Sequence, residues 1–246
     1  HYLYPHLCPC KANGQISPVD PEQTELLLKC AQSFAVLPWV GGVLDVHCFP
    51  GAQAWRNRFV RSSVNLLKEH PDFAGIHVNI EPLPSGTPEF LLLLNELKSA
   101  LPEGKILSVA AYPPTTFLHP PIEVHWDKEY FAEIARISDQ MVPMMYDAAQ
   151  PLEKSYIYLM SRWTRQVIEW SGKTKVLLGI PAYDDTGAGY HEPEIENITN
   201  AILGINAALI RYESLPQNYS GVSIYCEWEM NPEKWGIFHR EFMGTE

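Results

Sequence analysis

From residue 73 to residue 82 the chain reads Phe-Ala-Gly-Ile-His-Val-Asn-Ile-Glu-Pro, with apolar and polar positions alternating. That alternation predicts a strand, because successive side chains of a strand point to opposite faces. Ile76, Val78 and Ile80 share an aliphatic face, and His77, Asn79 and Glu81 share a polar one. A half-exposed surface strand shows the same period, but it carries Lys, Thr or Ser on its polar side more often than His, Asn and a closing Glu. Pro82 cannot donate to a ladder, so Glu81 is expected to end the strand. Parallel α/β sheets and barrels place their chemistry at such C-terminal strand ends.

The same reading extends along the chain. Tyr2-Leu3-Tyr4 predicts a short strand, and Asp20-Pro21 predicts an N-cap and first helical residue ahead of the apolar stripe Leu26, Leu27, Cys30. A second strand is expected at 35–40, then a loop with Asp45 and His47, then a helix with Val60, Val64 and Leu67 on one face, ending before Pro71. After strand 73–82, Thr87-Pro88 opens a helix to about Ala100. A strand at 106–112 is nearly all apolar, as burial on both faces requires. Asp127 caps a helix bearing Tyr130, Ile134 and Ile137. The remaining expectations are strand 140–146, helix 152–170, strand 175–181, helix 193–212, strand 221–226 and a last helix at 232–242. Strict alternation of strand and helix implies a parallel sheet with right-handed crossovers. Seven strands are counted. The expected fold class is α/β, a (β/α)8 TIM barrel in one domain over 1–246, with its first strand upstream of residue 1. A doubly wound open sheet is the alternative; neither a Gly-x-Gly-x-x-Gly after a strand nor a phosphate-cradling loop is present to favour it.

Composition narrows the function. At 246 residues and 46% hydrophobic content the chain buries a large core, and barrels of this kind run to about 250 residues. The net charge of -11 argues against a nucleic-acid partner, which requires clustered Lys and Arg. No apolar run is long enough to span a membrane. The sequence starts at His1, not Met, so an upstream leader has room to exist, and with one an extracellular or cell-envelope location is expected. Cys8, Cys10, Cys30, Cys48 and Cys226 are odd in number and scattered, and read as thiols. Two sequons, Asn197-Ile198-Thr199 and Asn218-Tyr219-Ser220, read as chance occurrences, the first because it lies inside a helical pattern.

Several strand ends carry acidic and aromatic residues: Glu81; Tyr146 with Asp147; Tyr225 to Trp228, which includes Glu227; Tyr112; and Tyr183 with Asp184 and Asp185. In a barrel they share one mouth. Aromatic faces with carboxylates suit sugar rings, which offer C–H faces and hydroxyls together, better than phosphates. Tyr112 and Tyr183 read equally well as residues that finish a core.

The run Gly75-Ile76-His77-Val78-Asn79-Ile80-Glu81 resembles the strand signature Asp-Gly-x-Asp-x-Asp-x-Glu of glycoside hydrolase family 18, the chitinase-like barrels. Met144-Met145-Tyr146-Asp147 resembles that family's Met-x-Tyr-Asp, Leu178-Gly179-Ile180-Pro181 its Gly-x-Pro, and Gly221 through Trp228 its last strand with a tryptophan at the floor of the sugar site. The four motifs fall in the family's order. The resemblance implies a retaining, substrate-assisted glycosidase without a cofactor, acting on an oligosaccharide or polysaccharide that contains β-linked N-acetylglucosamine. In it the substrate's 2-acetamido oxygen is the nucleophile, which removes the need for a second protein carboxylate. Glu81 is the implied general acid and base, Tyr146 the implied donor to the acetamido carbonyl, and Trp228 the implied platform beneath the sugar. Asp147, Tyr112, Tyr183 and Glu227 are the further expected substrate contacts.

The chain also departs from that pattern, with Ala74, His77 and Asn79 where the family has three Asp. Asn79-Ile80-Glu81 is similar instead to the Asn-x-Glu pair of family 85 endo-β-N-acetylglucosaminidases. An amide accepts a hydrogen bond from the acetamido N–H but offers no charge. His77 reads either as a neutral core residue or as a group that orients Asn79. Two other functions compete with the glycosidase: a chitinase-like lectin that binds sugar without cutting it, and a metal-dependent hydrolase using Asp45, His47 and His77, which lack a tight ligand spacing.

Overall fold

The computed structural model describes residues 1–7, 9–117, 124–185 and 190–244. Among these the strands are β1 (Tyr2–Leu3), β2 (Ala35–Val36), β3 (Trp39–Val43), β4 (Gly75–Glu81), β5 (Ile106–Ala111), β6 (Gln140–Pro143), β7 (Lys175–Pro181) and β8 (Tyr219–Tyr225). The helices are α1 (Pro21–Cys30), α2 (Gln53–Glu69), α3 (Pro88–Ala100), α4 (Lys128–Ile137), α5 (Glu153–Trp170), α6 (Ile198–Leu209) and α7 (Pro232–Phe238). The fold is that of a (β/α)8 TIM barrel, with strand and helix alternating and neighbouring strands parallel.

The described residues form two compact units: those within His1–Ala111 and Ile122–Met141, and those within Tyr112–Pro121 and Val142–Glu246. In the first unit β1 pairs with β2, and β4 lies between β3 and β5. The single strand expected at 35–40 is divided at Leu37-Pro38, where the proline lacks the N–H that a continuous ladder needs. Its carbonyl is still used, accepting from the His77 N–H at 3.0 Å. Phe59, Phe73, Ile76, Phe90, Leu93, Leu107, Phe131 and Ile134 fill the core of this unit. Each such side chain contributes about 1.5–3 kcal/mol by burial. Helices α1 and α4 begin where the sequence places them, with Asp20 accepting from the Gln23 N–H and Asp127 from the Tyr130 N–H.

In the second unit β7 pairs with β8 through Pro181 and Tyr225, and Tyr156, Leu159, Trp163, Leu178, Ile180, Ile202 and Ile205 are buried. Several boundaries differ from expectation, three of which bear on the candidate site. Strand β6 stops at Pro143 instead of 146: beyond it the pairing is reduced to an isolated bridge, Met144 opposite Gly179, and Asp147 at φ 58 and Ala149 at φ 47 then leave the extended region. Helix α6 starts at Ile198, not 193: the Asn197 side chain accepts from the Asn200 N–H, so this residue is the N-cap and not a helix-interior position. Strand β8 ends at Tyr225 and gives way to a 3-10 turn, Glu227–Glu229.

Candidate active site

In the first unit, β4 and β3 register Gly41 opposite Asn79 and Val43 opposite Glu81. A side chain at Gly41 has no room, since a Cβ there would lie 1.8 Å from the Asn79 carbonyl oxygen. This glycine lets the two strands approach and sets Asn79 in place. Asn79 is 9% exposed, and its Nδ2 donates to Oε1 of Glu81 at 2.7 Å. A carboxylate only accepts, so the NH2 end of the amide faces Glu81. The Oδ1 end is buried and has no hydrogen-bond partner among the described residues. The Glu81 carbonyl accepts from the Leu44 N–H at 2.9 Å, and beyond Pro82 the Leu83 carbonyl accepts from the Trp126 indole at 3.0 Å. The backbone that carries Glu81 is thus held on both sides.

His77, two residues back, belongs to a different network. Tyr4 and Ser108 both donate to Oε1 of Gln140, at 2.6 and 2.9 Å. With its only proton committed, the Ser108 hydroxyl accepts from His77 Nδ1 at 2.8 Å, which fixes the Nδ1–H tautomer. Burial lowers the imidazole pKa to about 3, so the ring is neutral. This is the core-residue reading; Asn79 takes its orientation from Glu81 instead. His47 faces its own loop, with Nδ1 accepting from the Val43 N–H. Among the described residues, Asp45, His47 and His77 form no metal-competent group.

In the second unit, the Tyr146 ring stacks on Tyr225 at 5.1 Å and meets Tyr183 edge-on at 6.0 Å. The Tyr183 hydroxyl donates to Asp147. Its ring lies 3.9 Å from that of His191, and its carbonyl accepts from His191 Nε2 at 3.1 Å. His191 Nδ1 is 3.6 Å from both Asp147 Oδ1 and Glu196 Oε2. Glu196 is fully buried and takes the Ala148 N–H on both oxygens, at 3.0 and 3.1 Å. Burial is the largest influence on Asp147 and raises its pKa; Tyr183 and His191 oppose that, Glu196 adds to it, and the net direction is upward. For His191, burial lowers the pKa, but Glu196, the Tyr183 carbonyl and Asp147 together outweigh it and the net direction is again upward.

The other expected site residues are placed as follows. Tyr112 is buried directly after β5. Trp228 and Glu227 sit on the 3-10 turn with Trp228 72% exposed, its ring edge-on to Tyr225 at 6.1 Å. The strand period therefore does not govern Glu227, Trp228 and Glu229. Tyr225, His191 and Glu196 were not selected from the sequence. Tyr225 was visible as a strand end, and Asn197 as a helix cap would have marked Glu196 as lying before the helix. Cys10, Cys48 and Cys226 are buried thiols and Cys30 an exposed one; Cys8 lies outside the described residues. No described helix is long and apolar enough to cross a membrane.

The model of Glycosyl hydrolases family 18 matches residues 10–237. No curated protein matches. Among solved structures, the Bacillus cereus spore cortex-lytic enzyme SleL is similar at TM-score 0.68 and 14% identity, covering 98% of this chain and 67% of that one. A class V chitinase from Pseudomonas fluorescens Pf-5 is similar at TM-score 0.67 and 16% identity, over 94% of this chain and 88% of that one. A chitinase from Rhizomucor miehei is similar at TM-score 0.64 and 16% identity, over 92% and 88%.

Proposed function

Because the chain belongs to glycosyl hydrolases family 18, we propose that it cleaves glycans containing β-linked N-acetylglucosamine, with retention, by a substrate-assisted mechanism. The observation that carries this reading is the Asn79–Glu81 pair, with Nδ2 donating to Oε1 at 2.7 Å and Oδ1 buried and unpartnered. In the proposed reaction Glu81, in its acid form, protonates the glycosidic oxygen as the bond to the anomeric carbon breaks. The substrate's acetamido oxygen forms the new bond to that carbon, giving an oxazolinium. Water then attacks, Glu81 takes its proton, and the acetamide is restored. Asn79 Oδ1 accepts the acetamido N–H, which aligns the nucleophile without lending it charge. Tyr146 donates to the acetamido carbonyl, held by its stack on Tyr225. Trp228, Tyr112, Tyr183, Asp147 and Glu227 are assigned as further sugar contacts.

The solved neighbours include a chitinase and a spore cortex-lytic enzyme, so chitin-type chains and peptidoglycan are the first substrates to try. N-glycan cores complete the panel, since the Asn-x-Glu pair suits an endo-β-N-acetylglucosaminidase equally. Wild type and Glu81→Gln are compared on all three; product from wild type alone supports the reading, and equal turnover by the variant removes Glu81 from the role. One observation favours a second reading, a lectin: Asn79 offers no negative charge to the oxazolinium. Saturable binding of sugar by calorimetry, with no product on long incubation, selects it.

A further inference from the structure

We propose that Asp147, His191 and Glu196 form a binding site for a divalent transition-metal ion of the zinc class. The three side chains offer one imidazole nitrogen and two carboxylate oxygens, all within 4.8 Å of one another. The side chains of His191 and Glu196 are fully buried, and His191 Nδ1 has no hydrogen-bond partner among the described residues. Its other nitrogen donates to the Tyr183 carbonyl, an acceptor only, so the neutral ring carries its lone pair on Nδ1. That lone pair faces two carboxylates at 3.6 Å each. Three electron-rich groups turned toward one point repel one another unless a positive species lies between them.

The spacing distinguishes a metal ion from a proton. A proton on Nδ1 would draw one carboxylate in to about 2.7–2.9 Å, the length of a charge-assisted bond. Three N and O ligands around an ion at about 2.0–2.1 Å are instead about 3.3–3.6 Å apart, in tetrahedral or trigonal arrangement. The two contacts made by His191 Nδ1, at 3.6 Å each, match the second case, and the two carboxylates, within 4.8 Å of each other, have only to close on the ion. The outer partners are those a metal site requires, because each ligand is oriented by something else. The Tyr183 carbonyl holds the imidazole, the Tyr183 hydroxyl holds Asp147, and the Ala148 and Gln150 N–H groups hold Glu196. One imidazole with two carboxylates suits zinc or manganese better than magnesium or calcium, which favour all-oxygen shells. An open depression of about 360 Å³, lined by Gln150, Tyr190, His191 and Glu194 among others, lies against the His191 side of the cluster. Such an ion ties the segment after β6 to the segment before α6 and fixes the carboxylate of Asp147. Asp147 and Tyr183 are also among the sugar contacts of the proposed glycosidase reading, but ion retention is measured without substrate, so the failure of either reading is distinguishable from the failure of the other.

The test is made on the whole chain, stripped with a chelator and then given zinc, manganese, magnesium or calcium ions. One zinc per chain retained after desalting, and a thermal midpoint that rises with zinc far more than with magnesium or calcium, are expected. Retention is expected to fall at least tenfold in His191→Gln and Glu196→Gln, and in Asp147→Asn, whose more exposed position keeps the test valid where the buried variants fail to fold. Cobalt substitution adds a readout independent of activity: visible bands without a near-ultraviolet thiolate charge-transfer band. No retained zinc in wild type, equal retention by the variants, or a thiolate band that places the ion on the cysteines overturns the proposal.

Discussion

Asn79 Nδ2 donates to Glu81 Oε1 at 2.7 Å, so the amide is polarised by the carboxylate beside it and its own oxygen is turned away from it. Under the proposed mechanism, Glu81→Gln removes the proton donor and is expected to lower kcat about 10²–10⁴-fold with KM little changed. Asn79→Asp replaces a donor to Glu81 with a second carboxylate. Two carboxylates at this separation share a proton, so the acid form persists to higher pH. The alkaline limb of the pH–rate profile should move upward; an unmoved limb would show that residue 79 does not act on Glu81.

Gly41 and Gly86 separate two costs of adding a methyl group. Both have positive φ, 137° and 77°, but a Cβ at Gly41 meets the Asn79 carbonyl oxygen at 1.8 Å, whereas a Cβ at Gly86 meets nothing within 4 Å. Gly86→Ala is expected to cost about 1 kcal/mol from backbone conformation alone, and Gly41→Ala about 2–4 kcal/mol because the β3–β4 ladder must also shift. Urea denaturation measures both. Gly41→Ala should in addition lose activity in the fraction that remains folded, through displacement of Asn79.

The sequence carried the element order because most strands and helices follow local rules: period-two alternation in β4, Asp20 and Asp127 as caps, and a continuous stripe along α5. The Asn79–Glu81 juxtaposition was legible for the same reason, since alternate strand residues share a face. What was not legible depended on residues that leave those rules. β6 gives way to an isolated bridge at Met144 before Asp147 turns to positive φ, and Asn197 starts α6 late although Ile195 continues the apolar period. Glu196 lies under the 148–150 backbone, a contact that no spacing reveals. Trp228 has the residue type of a sugar platform, but the turn after Tyr225 leaves it exposed.

That turn yields a prediction about the two aromatics. Tyr225 stacks on Tyr146 at 5.1 Å and Trp228 meets only its edge. Tyr225→Ala is expected to release Tyr146 and to cost about 0.5–1.5 kcal/mol of stability beyond the area lost, with kcat falling as well as affinity. Trp228→Ala, at an exposed position, should leave the thermal midpoint unchanged and raise KM alone. A Trp228→Ala variant with normal KM would remove that residue from the proposed sugar contacts, and tryptophan fluorescence on titration with N-acetylglucosamine oligomers checks it directly.

His77 gives the chain a measurable acid sensitivity. The groups that face it, Tyr4 and Ser108 with Gln140 behind, are all uncharged, so nothing offsets the loss of hydration when the imidazole is protonated. Its pKa in the folded chain is lowered to about 3 by burial, while in the unfolded chain it is about 6.5. Between those values the unfolded state binds one more proton than the folded one. Stability on this account is complete above pH 6.5 and is lost as pH falls toward 3, at up to about 1.4 kcal/mol per pH unit. From pH 6.5 to 4.5 the loss assigned to His77 is therefore roughly 2–3 kcal/mol. His77→Gln keeps a donor for Ser108 but cannot titrate. Denaturant unfolding of both proteins at the two pH values isolates the effect, because the carboxylates titrate alike in each. The wild type is expected to lose that much more than the variant; equal losses would mean that the histidine takes up its proton in the folded state, which a neutral ring buried among uncharged partners does not allow.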